Sequence, residues 1–250
     1  MEFEDAKREH YSFLAAVEKR LLIRIAERLP RAINSDHLTG LGFAAMLAAG
    51  LSYWYARWSP IGLFVVIGWL AINWFGDSLD GTLARVRNQQ RPRYGFYVDH
   101  ILDAFGMLAL FVGLAASGCM SWLVMSAFLL AYFLLCIEIY LATYTLGKFH
   151  LSFGGMGPTE LRIVLAIGNT VAFFRPNVHL IGAEYRLFDV GGVVATVGIA
   201  VIAIYSALKH AGQLYRLEPL NPAAPQSEGL IGVLRRVAPQ NDKQEKVASA

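Results

Sequence analysis

The sequence predicts an all-α, polytopic membrane protein with six transmembrane helices, and two observations carry this prediction. The composition is too apolar for an ordinary soluble domain, because 56% of the 250 residues are hydrophobic and the mean hydropathy is +0.44. The apolar residues also fall into separate runs, each close to the ~20 residues that a helix needs to cross a bilayer. These runs cover residues 38–58, 61–80, 96–118, 121–145, 161–183 and 188–208.

The segment before the first run, residues 1–37, is predicted to hold an amphipathic helix that lies on the membrane surface. Apolar residues recur at helical spacing over residues 5–28, and basic residues occupy much of the remaining surface. The Leu29-Pro30 pair should end this helix. The apolar stripe consists of Leu14, Val17, Leu21 and Ile25.

Residues 38–212 are predicted to form the six-helix transmembrane domain, and residues 213–250 a cytoplasmic tail. The tail is expected to be partly disordered because prolines and polar residues dominate it. The two cysteines, Cys119 and Cys136, lie in apolar surroundings and are interpreted as packing residues.

Lysine and arginine are distributed unequally between the two sides of the predicted membrane domain. Seven of them precede residue 38, six follow residue 208, and four lie between the second and third runs. The opposite side has only Arg57, Arg175 and Arg186. By the positive-inside rule, both termini and the second connection are expected on the cytoplasmic side of the cell (inner) membrane.

A stripe of small and acidic residues lies at the end of the second run, and another lies at the start of the third run. Carboxylates beside apolar helices are energetically expensive, so their regular spacing indicates a function. Two stripes packed face to face would bring four acids together, with room beside the small residues. Oxygen ligands of this density suit Mg²⁺ or Mn²⁺. The stripes are Asp77, Asp80, Gly81 and Ala84, at i, i+3, i+4 and i+7, and Gly95, Asp99 and Asp103, at i, i+4 and i+8.

Three other interpretations of these acids compete with an enzyme active site. If the acids were only solvated residues at helix ends, nothing would require two matched stripes with glycine at corresponding positions. A cation or proton transporter would use intramembrane carboxylates, but these acids cluster at one end and their helices lack an interrupted midplane pattern. A scaffold that merely binds divalent ions would release no product. The pattern therefore favours a metal-dependent enzyme acting on phosphoryl groups.

The complete pattern, D-x-x-D-G-x-x-A-R followed after nine residues by G-x-x-x-D-x-x-x-D, resembles the signature of the CDP-alcohol phosphotransferases, also called CDP-alcohol phosphatidyltransferases. The resemblance implies an integral membrane transferase of phospholipid biosynthesis. Such an enzyme moves a substituted phosphate from a CDP-alcohol, such as CDP-diacylglycerol or a CDP-amino-alcohol, to an acceptor hydroxyl and releases CMP. A homodimer in the lipid bilayer, without a nucleic-acid partner, is expected.

The resemblance also implies a role for each fixed residue. The metal ligands would be Asp77, Asp80 and Asp99. Asp103 would accept the proton of the attacking hydroxyl group, and it is also a candidate for a further metal ligand. The remaining positions would bind the CDP-alcohol: Gly81, Ala84 and Gly95 would admit the nucleotide, and Arg85 would pair with the diphosphate.

Other candidate residues lie outside the signature. Residues 35–39, Ser-Asp-His-Leu-Thr, partly match a family segment P-N-x-L-T, so Thr39 is either a cytidine contact or part of a helix start capped by Ser35 or Asp36. His100, Glu160 and Arg162 are candidates for the acceptor pocket. The acceptor itself stays open, with a lean towards an uncharged alcohol or a cationic amino-alcohol over a phosphorylated one.

The charge distribution gives a topology prediction. In a variant with both native cysteines replaced by alanine, new cysteines in the connection between the second and third runs, or in the tail, should react with an impermeant maleimide only from the cytoplasmic side. New cysteines near Arg175 should react only from the opposite side. Labelling of intact and inverted membrane vesicles measures this, and the reverse pattern would refute the orientation.

Overall fold

The computed structural model of the protein describes residues 15–146, 158–180 and 182–220, which form seven helices and one hairpin. The chain divides into two compact units, Met1–His210 and Ala211–Ala250, and the core and the candidate site lie within the first. The helices are α1 (Ala15–Arg28), α2 (Ser35–Tyr55), α3 (Ile61–Val86), α4 (Pro92–Ala116), α5 (Trp122–Leu146), α6 (Pro158–Phe174) and α7 (Leu187–Leu217). Strands β1 (Asn177–Leu180) and β2 (Ala183–Arg186) pair antiparallel between α6 and α7.

The protein is a polytopic helical membrane protein, because α3, α4, α5 and α7 are each long and apolar enough to cross a bilayer. Within the part of the chain that the structure describes, α2 and α6 do not meet the same standard of length and composition. Helix α6 has only 17 residues, and α2 begins with a polar turn. The predicted arrangement of six spans is thus supported for four helices.

Several element boundaries differ from those predicted. Helix α6 ends at Phe174, although the fifth apolar run continued to residue 183, because Pro176 cannot extend a helix and a hairpin follows. Helix α7 continues to Leu217, past the predicted start of the tail at 213, since the first helix-breaking proline is Pro219. Residues 221–250 lie outside the described residues.

Helix α2 begins at Ser35, inside the segment assigned to the N-terminal region, and its cap is one residue earlier than predicted. The side chain of Asn34 accepts a hydrogen bond from the His37 amide at 3.0 Å, and the Asn34 amide donates to His37 Nδ1 at 3.3 Å. This reciprocal pair satisfies two backbone donors at the helix start. The prediction of a cap at Ser35 or Asp36 was therefore wrong.

Helix α1 covers the described part of the predicted N-terminal helix, residues 5–28, and ends at Arg28 before the Leu29-Pro30 pair as expected. Two of its residues join a small buried cluster with α2 and α3. Arg87, just after α3, donates to the carbonyl oxygens of Leu29 at 2.9 Å and Pro30 at 3.1 Å, and also to that of Ile33. The cluster consists of Leu22, Ala26, Leu38, Leu79 and Leu83.

Glycines allow α2, α3 and α4 to approach backbone to backbone. A Cβ atom at Gly113 would lie 2.0 Å from the carbonyl oxygen of Gly50, and a Cβ atom at Gly76 would lie 2.7 Å from that of Leu38. Real Cβ atoms do not come so close, so no larger residue fits at either crossing without a backbone shift. Small residues at helix crossings are the usual means of close packing in membranes.

A buried hydrogen bond fixes α6 against α2. The hydroxyl group of Tyr53, which is fully buried, donates to Asn169 Oδ1 at 2.8 Å. Phe188, at the start of α7, packs edge-on against the Tyr53 ring with a centroid distance of 6.4 Å. The polar pair specifies how α6 is rotated, and this rotation directs the functional side chains of α6 towards α3.

The glycine crossing gives a stability prediction. Gly113→Ala should lower the thermal midpoint of the detergent-purified protein, because the new methyl group forces α2 and α4 apart at a cost of about 1–3 kcal/mol. The matched control is Gly68→Ala in α3, where a Cβ atom would meet nothing within 4 Å. Equal thermal midpoints for the two variants would contradict the packing described here.

Candidate metal centre

Three carboxylates converge between α3 and α4. One carboxylate oxygen from each of Asp77, Asp99 and Asp103 lies within 4.8 Å of the other two, and all three side chains are half-buried. Their convergence follows from helix geometry, because Asp99 and Asp103 are one turn apart on α4 and face the stripe of α3. A half-buried set of three oxygen donors has the chemistry that a hard divalent cation requires.

Asp80 lies outside this group of three, one turn along α3 from Asp77. Its Oδ2 atom accepts a hydrogen bond of 2.6 Å from Thr39 Oγ1, and its Oδ1 atom accepts one from the Gly81 amide. The hydroxyl group of Ser35 donates to the Asp80 carbonyl oxygen at 3.0 Å. Asp80 still interacts electrostatically with Asp77 and Asp99, so it belongs to the same acidic site.

The contact with Asp80 changes the interpretation of Thr39. The structure shows that this hydroxyl group positions a carboxylate of the acidic site and also donates to the Ser35 carbonyl oxygen at 3.1 Å. Neither contact is a helix cap. The proposed contact of Thr39 with cytidine is compatible with this position and stays a prediction.

Arg162 places a positive charge beside the acids. Its Nη2 atom donates to Asp77 Oδ2 at 2.7 Å and its Nε atom to Asn73 Oδ1 at 2.7 Å, while Asn73 Nδ2 donates to the Gly42 carbonyl oxygen at 3.0 Å. The guanidinium is largely buried, with 13% of the side chain exposed. Arg162 therefore offsets the repulsion among the acids, in addition to any contact with an acceptor.

Asn73 was not predicted from the sequence, although a signal was present. It lies one turn before Asp77, so it extends the polar stripe of α3 by one position into the apolar run. A buried amide in such a run needs partners, and the structure supplies Arg162 and the α2 backbone.

The other two acceptor-pocket candidates differ in what the structure shows. His100 Nδ1 lies 2.7 Å from the Phe96 carbonyl oxygen and 3.7 Å from Asp99 Oδ2, which places the imidazole beside the acids. Glu160 is in the first turn of α6, half-buried and two residues before Arg162. Residues 147–157, with Lys148, His150 and the glycine-rich segment considered for the acceptor, lie outside the described residues.

Gly95 and Gly81, which are predicted to admit the nucleotide, could each accommodate a Cβ atom without a clash. A Cβ atom at Gly95 would meet nothing within 4 Å, and one at Gly81 would first meet the Arg85 guanidinium, at 3.5 Å. Arg85 Nη2 donates to Thr82 Oγ1 at 3.2 Å. These glycines differ from those at the helix crossings, where a Cβ atom has no room. Their proposed role in admitting the nucleotide stays a prediction.

Ala84 lines a cavity of about 410 Å³ near the cytoplasm-facing end predicted from the charges. Asp36 and Arg91, both in its lining, form an ion pair, and the hydrogen bond that Arg91 donates to the Asp36 carboxylate raises the pKa of Arg91. The Arg91 guanidinium also lies 4.2 Å above the centre of the Tyr94 ring. The other lining residues are Asn34, Ser35, Leu83, Gln89 and Gln90.

Comparison with known families agrees with this architecture. The family model described as CDP-alcohol phosphatidyltransferase matches residues 35–208, from the start of α2 into α7. The chain therefore belongs to the CDP-alcohol phosphatidyltransferase family, whose members transfer a substituted phosphate from a CDP-alcohol to an alcohol in phospholipid synthesis. No individual curated protein shows significant similarity to the chain.

The hydrogen bond between Thr39 and Asp80 gives a prediction. Thr39→Val should lower the rate of CMP release about tenfold or more, because a hydrogen bond to a charged group contributes about 1.5–3 kcal/mol. Thr39→Ser should restore most of the activity. The control is Thr170→Val, at an exposed threonine of α6 whose hydroxyl group donates to the Ala166 carbonyl oxygen of the same helix. Wild-type activity in Thr39→Val would show that Asp80 needs no such support.

Proposed function

We propose that this protein transfers a substituted phosphate from a CDP-alcohol to an acceptor hydroxyl group at the acidic site between α3 and α4. The observation that carries this proposal is the convergence of Asp77, Asp99 and Asp103, with open space at Gly95 and the Arg85 guanidinium beside Gly81. A hard-cation site next to room for a nucleotide is what diphosphate chemistry requires. The membership of the family supports the same reaction class.

Asp77, Asp99 and Asp80, which lies one turn from Asp77, would hold one or two Mg²⁺ or Mn²⁺ ions, with Asp103 beside them as the base or as a further ligand. The donor set fits this group, because it consists of carboxylate oxygens alone, half-buried, with one arginine offsetting their charge. A bound divalent ion would neutralise the diphosphate and the charge that develops on the departing CMP.

The protein residues then perform the remaining steps. The planar guanidinium of Arg85 would bind the diphosphate, and the space beside Gly81 and Gly95 would admit the nucleotide. Asp103 would take the proton of the acceptor hydroxyl group as the acceptor oxygen forms its bond to phosphorus. The bond between that phosphorus and the bridging oxygen breaks, and CMP leaves with both bonding electrons.

The charge distribution supports the accompanying proposals about topology. We infer six spans, an α1 that lies at the membrane surface, and both termini and the acidic site on the cytoplasmic side of the inner membrane. A homodimer completes the proposed assembly. On the cytoplasmic side the site would have direct access to a soluble nucleotide and to divalent ions.

The experiment that tests the proposed reaction is CMP release by the purified protein, with Mn²⁺ and paired CDP-alcohols and acceptors. Asp77→Asn, Asp80→Asn and Asp99→Asn should each abolish turnover, because each loses a charge that binds the ion. The matched control is Asp189→Asn, at an acid of α7 that accepts a hydrogen bond from the Ser121 amide outside this site. Near-normal activity in two of the three variants, or wild-type protein that releases no CMP, would refute the proposal.

The Asp103→Asn variant tests whether Asp103 acts as a general base or as a metal ligand. If Asp103 is the base, the chemical step should slow by roughly 10²–10⁴-fold while the affinities for Mn²⁺ and CMP stay near those of the wild type. Titration of both ligands by calorimetry measures the affinities. A parallel loss of Mn²⁺ affinity would instead make Asp103 a metal ligand.

A further inference from the structure

Asn73 connects the backbone of α2 to the arginine beside the acidic site. Its Oδ1 atom accepts a hydrogen bond from Arg162 Nε, and its Nδ2 atom donates to the Gly42 carbonyl oxygen. An amide in the reverse orientation would place a donor against the Arg162 donor and an oxygen against the carbonyl oxygen, so the two bonds together fix this side chain. Asn73 is 3% exposed and therefore holds Arg162 from a packed position on α3.

The Arg162 guanidinium is held at two points along one turn of α3. Its Nε atom bonds Asn73 and its Nη2 atom bonds Asp77, and these two partners are at i and i+4 on the helix. Both bonds are 2.7 Å long. A planar group held by two hydrogen bonds cannot turn without breaking one of them, so Arg162 meets the acidic site through Oδ2 of Asp77 in a fixed direction.

This restraint matters because the guanidinium and a divalent ion are attracted to the same place. The carboxylate oxygens of Asp77, Asp99 and Asp103 lie within 4.8 Å of one another, and Arg162 already pairs with the first of these acids. The Arg162 charge also reaches Asp103. A guanidinium released from Asn73 would gain attraction by moving between the acids, and it would then occupy the space that the ion needs.

We propose that Asn73 is a positioning residue that keeps the Arg162 guanidinium against one oxygen of Asp77 and out of the space between the three acids. That space then stays available for a divalent ion. The proposal rests on the proposed function, in which these acids bind the ion, and it gives each residue a separate task. Arg162 offsets the repulsion among the acids from beside them, and Asn73 prevents the guanidinium from replacing the ion.

The first test is calorimetric titration of the purified protein with Mn²⁺ alone. Asn73→Leu should lower the Mn²⁺ affinity about tenfold or more, as the loss of residues that support metal ligands does. In the Arg162→Gln background, Asn73→Leu should change the affinity less than about threefold, because no guanidinium is left to restrain. The matched control is Ser206→Ala, which removes a buried hydroxyl group that donates to Glu138 and should keep the wild-type affinity.

Two results of this test would overturn the proposal. An unchanged Mn²⁺ affinity in Asn73→Leu would show that Arg162 needs no restraint. An equal loss of affinity in both backgrounds would show that Asn73 acts through packing and not through Arg162. If Asn73→Leu does not fold, as judged by its thermal midpoint, Asn73→Ala makes the same comparison. Failure of the proposed function would appear separately, as wild-type protein that binds no Mn²⁺.

The second test leaves Asn73 in place and changes only the residue that it holds. Arg162→Lys keeps the positive charge but loses the planar group that bonds Asn73 and Asp77 together, so the ammonium group is no longer restrained. This variant should bind Mn²⁺ about tenfold more weakly than the wild type, whereas Arg162→Gln should bind it at least as tightly as the wild type.

The order of these affinities decides the second test. A lysine variant that binds Mn²⁺ as tightly as the wild type would contradict the proposal, because an unrestrained cation would then do no harm. A glutamine variant that binds Mn²⁺ more weakly than the wild type would also contradict it, because Arg162 would then support the ion and not compete with it.

Discussion

Mutual repulsion of carboxylates is the constraint around which this fold is arranged. Four acids on α3 and α4 lie close enough to interact, and each like-charge contact opposes the packing of these helices. The chain compensates from two other helices: Arg162 of α6 pairs with Asp77, and Thr39 of α2 donates to Asp80. The positions of α2 and α6 are therefore as important to the site as the acids themselves.

The glycine crossings and the buried polar pair position the helices through different interactions. Backbone contact at Gly50 and Gly113 sets how near α2 and α4 lie, because nothing can be inserted between them. The hydrogen bond between Tyr53 and Asn169 sets the rotation of α6 and thus the direction of Arg162. Distance and rotation together place a guanidinium within 2.7 Å of a carboxylate 85 residues away in the chain.

The sequence predicted what depends on local spacing and missed what depends on packing. The stripes of Asp77 and Asp99 follow from the helical period, and the structure brings both to one site. The α2 cap at Asn34 was missed by one residue, because Ser, Asp and Asn cap equally well and only the backbone decides among them. Both Arg162 and Asp77 were candidates, but the ion pair between them could not be predicted, since the contact depends on how α6 is rotated.

Helix α5 shows how a few polar residues can fix the rotation of one helix. Helix α5 is otherwise almost uniformly apolar and could rotate in a bilayer at little cost. Glu138 must face His210 and Ser206, because an unpaired carboxylate at that depth is expensive. With Glu138 held on one side, Cys136 and Tyr140 must face the other, towards Asp103. A contact that has no part in the proposed chemistry thereby sets the direction in which the other polar side chains of α5 point.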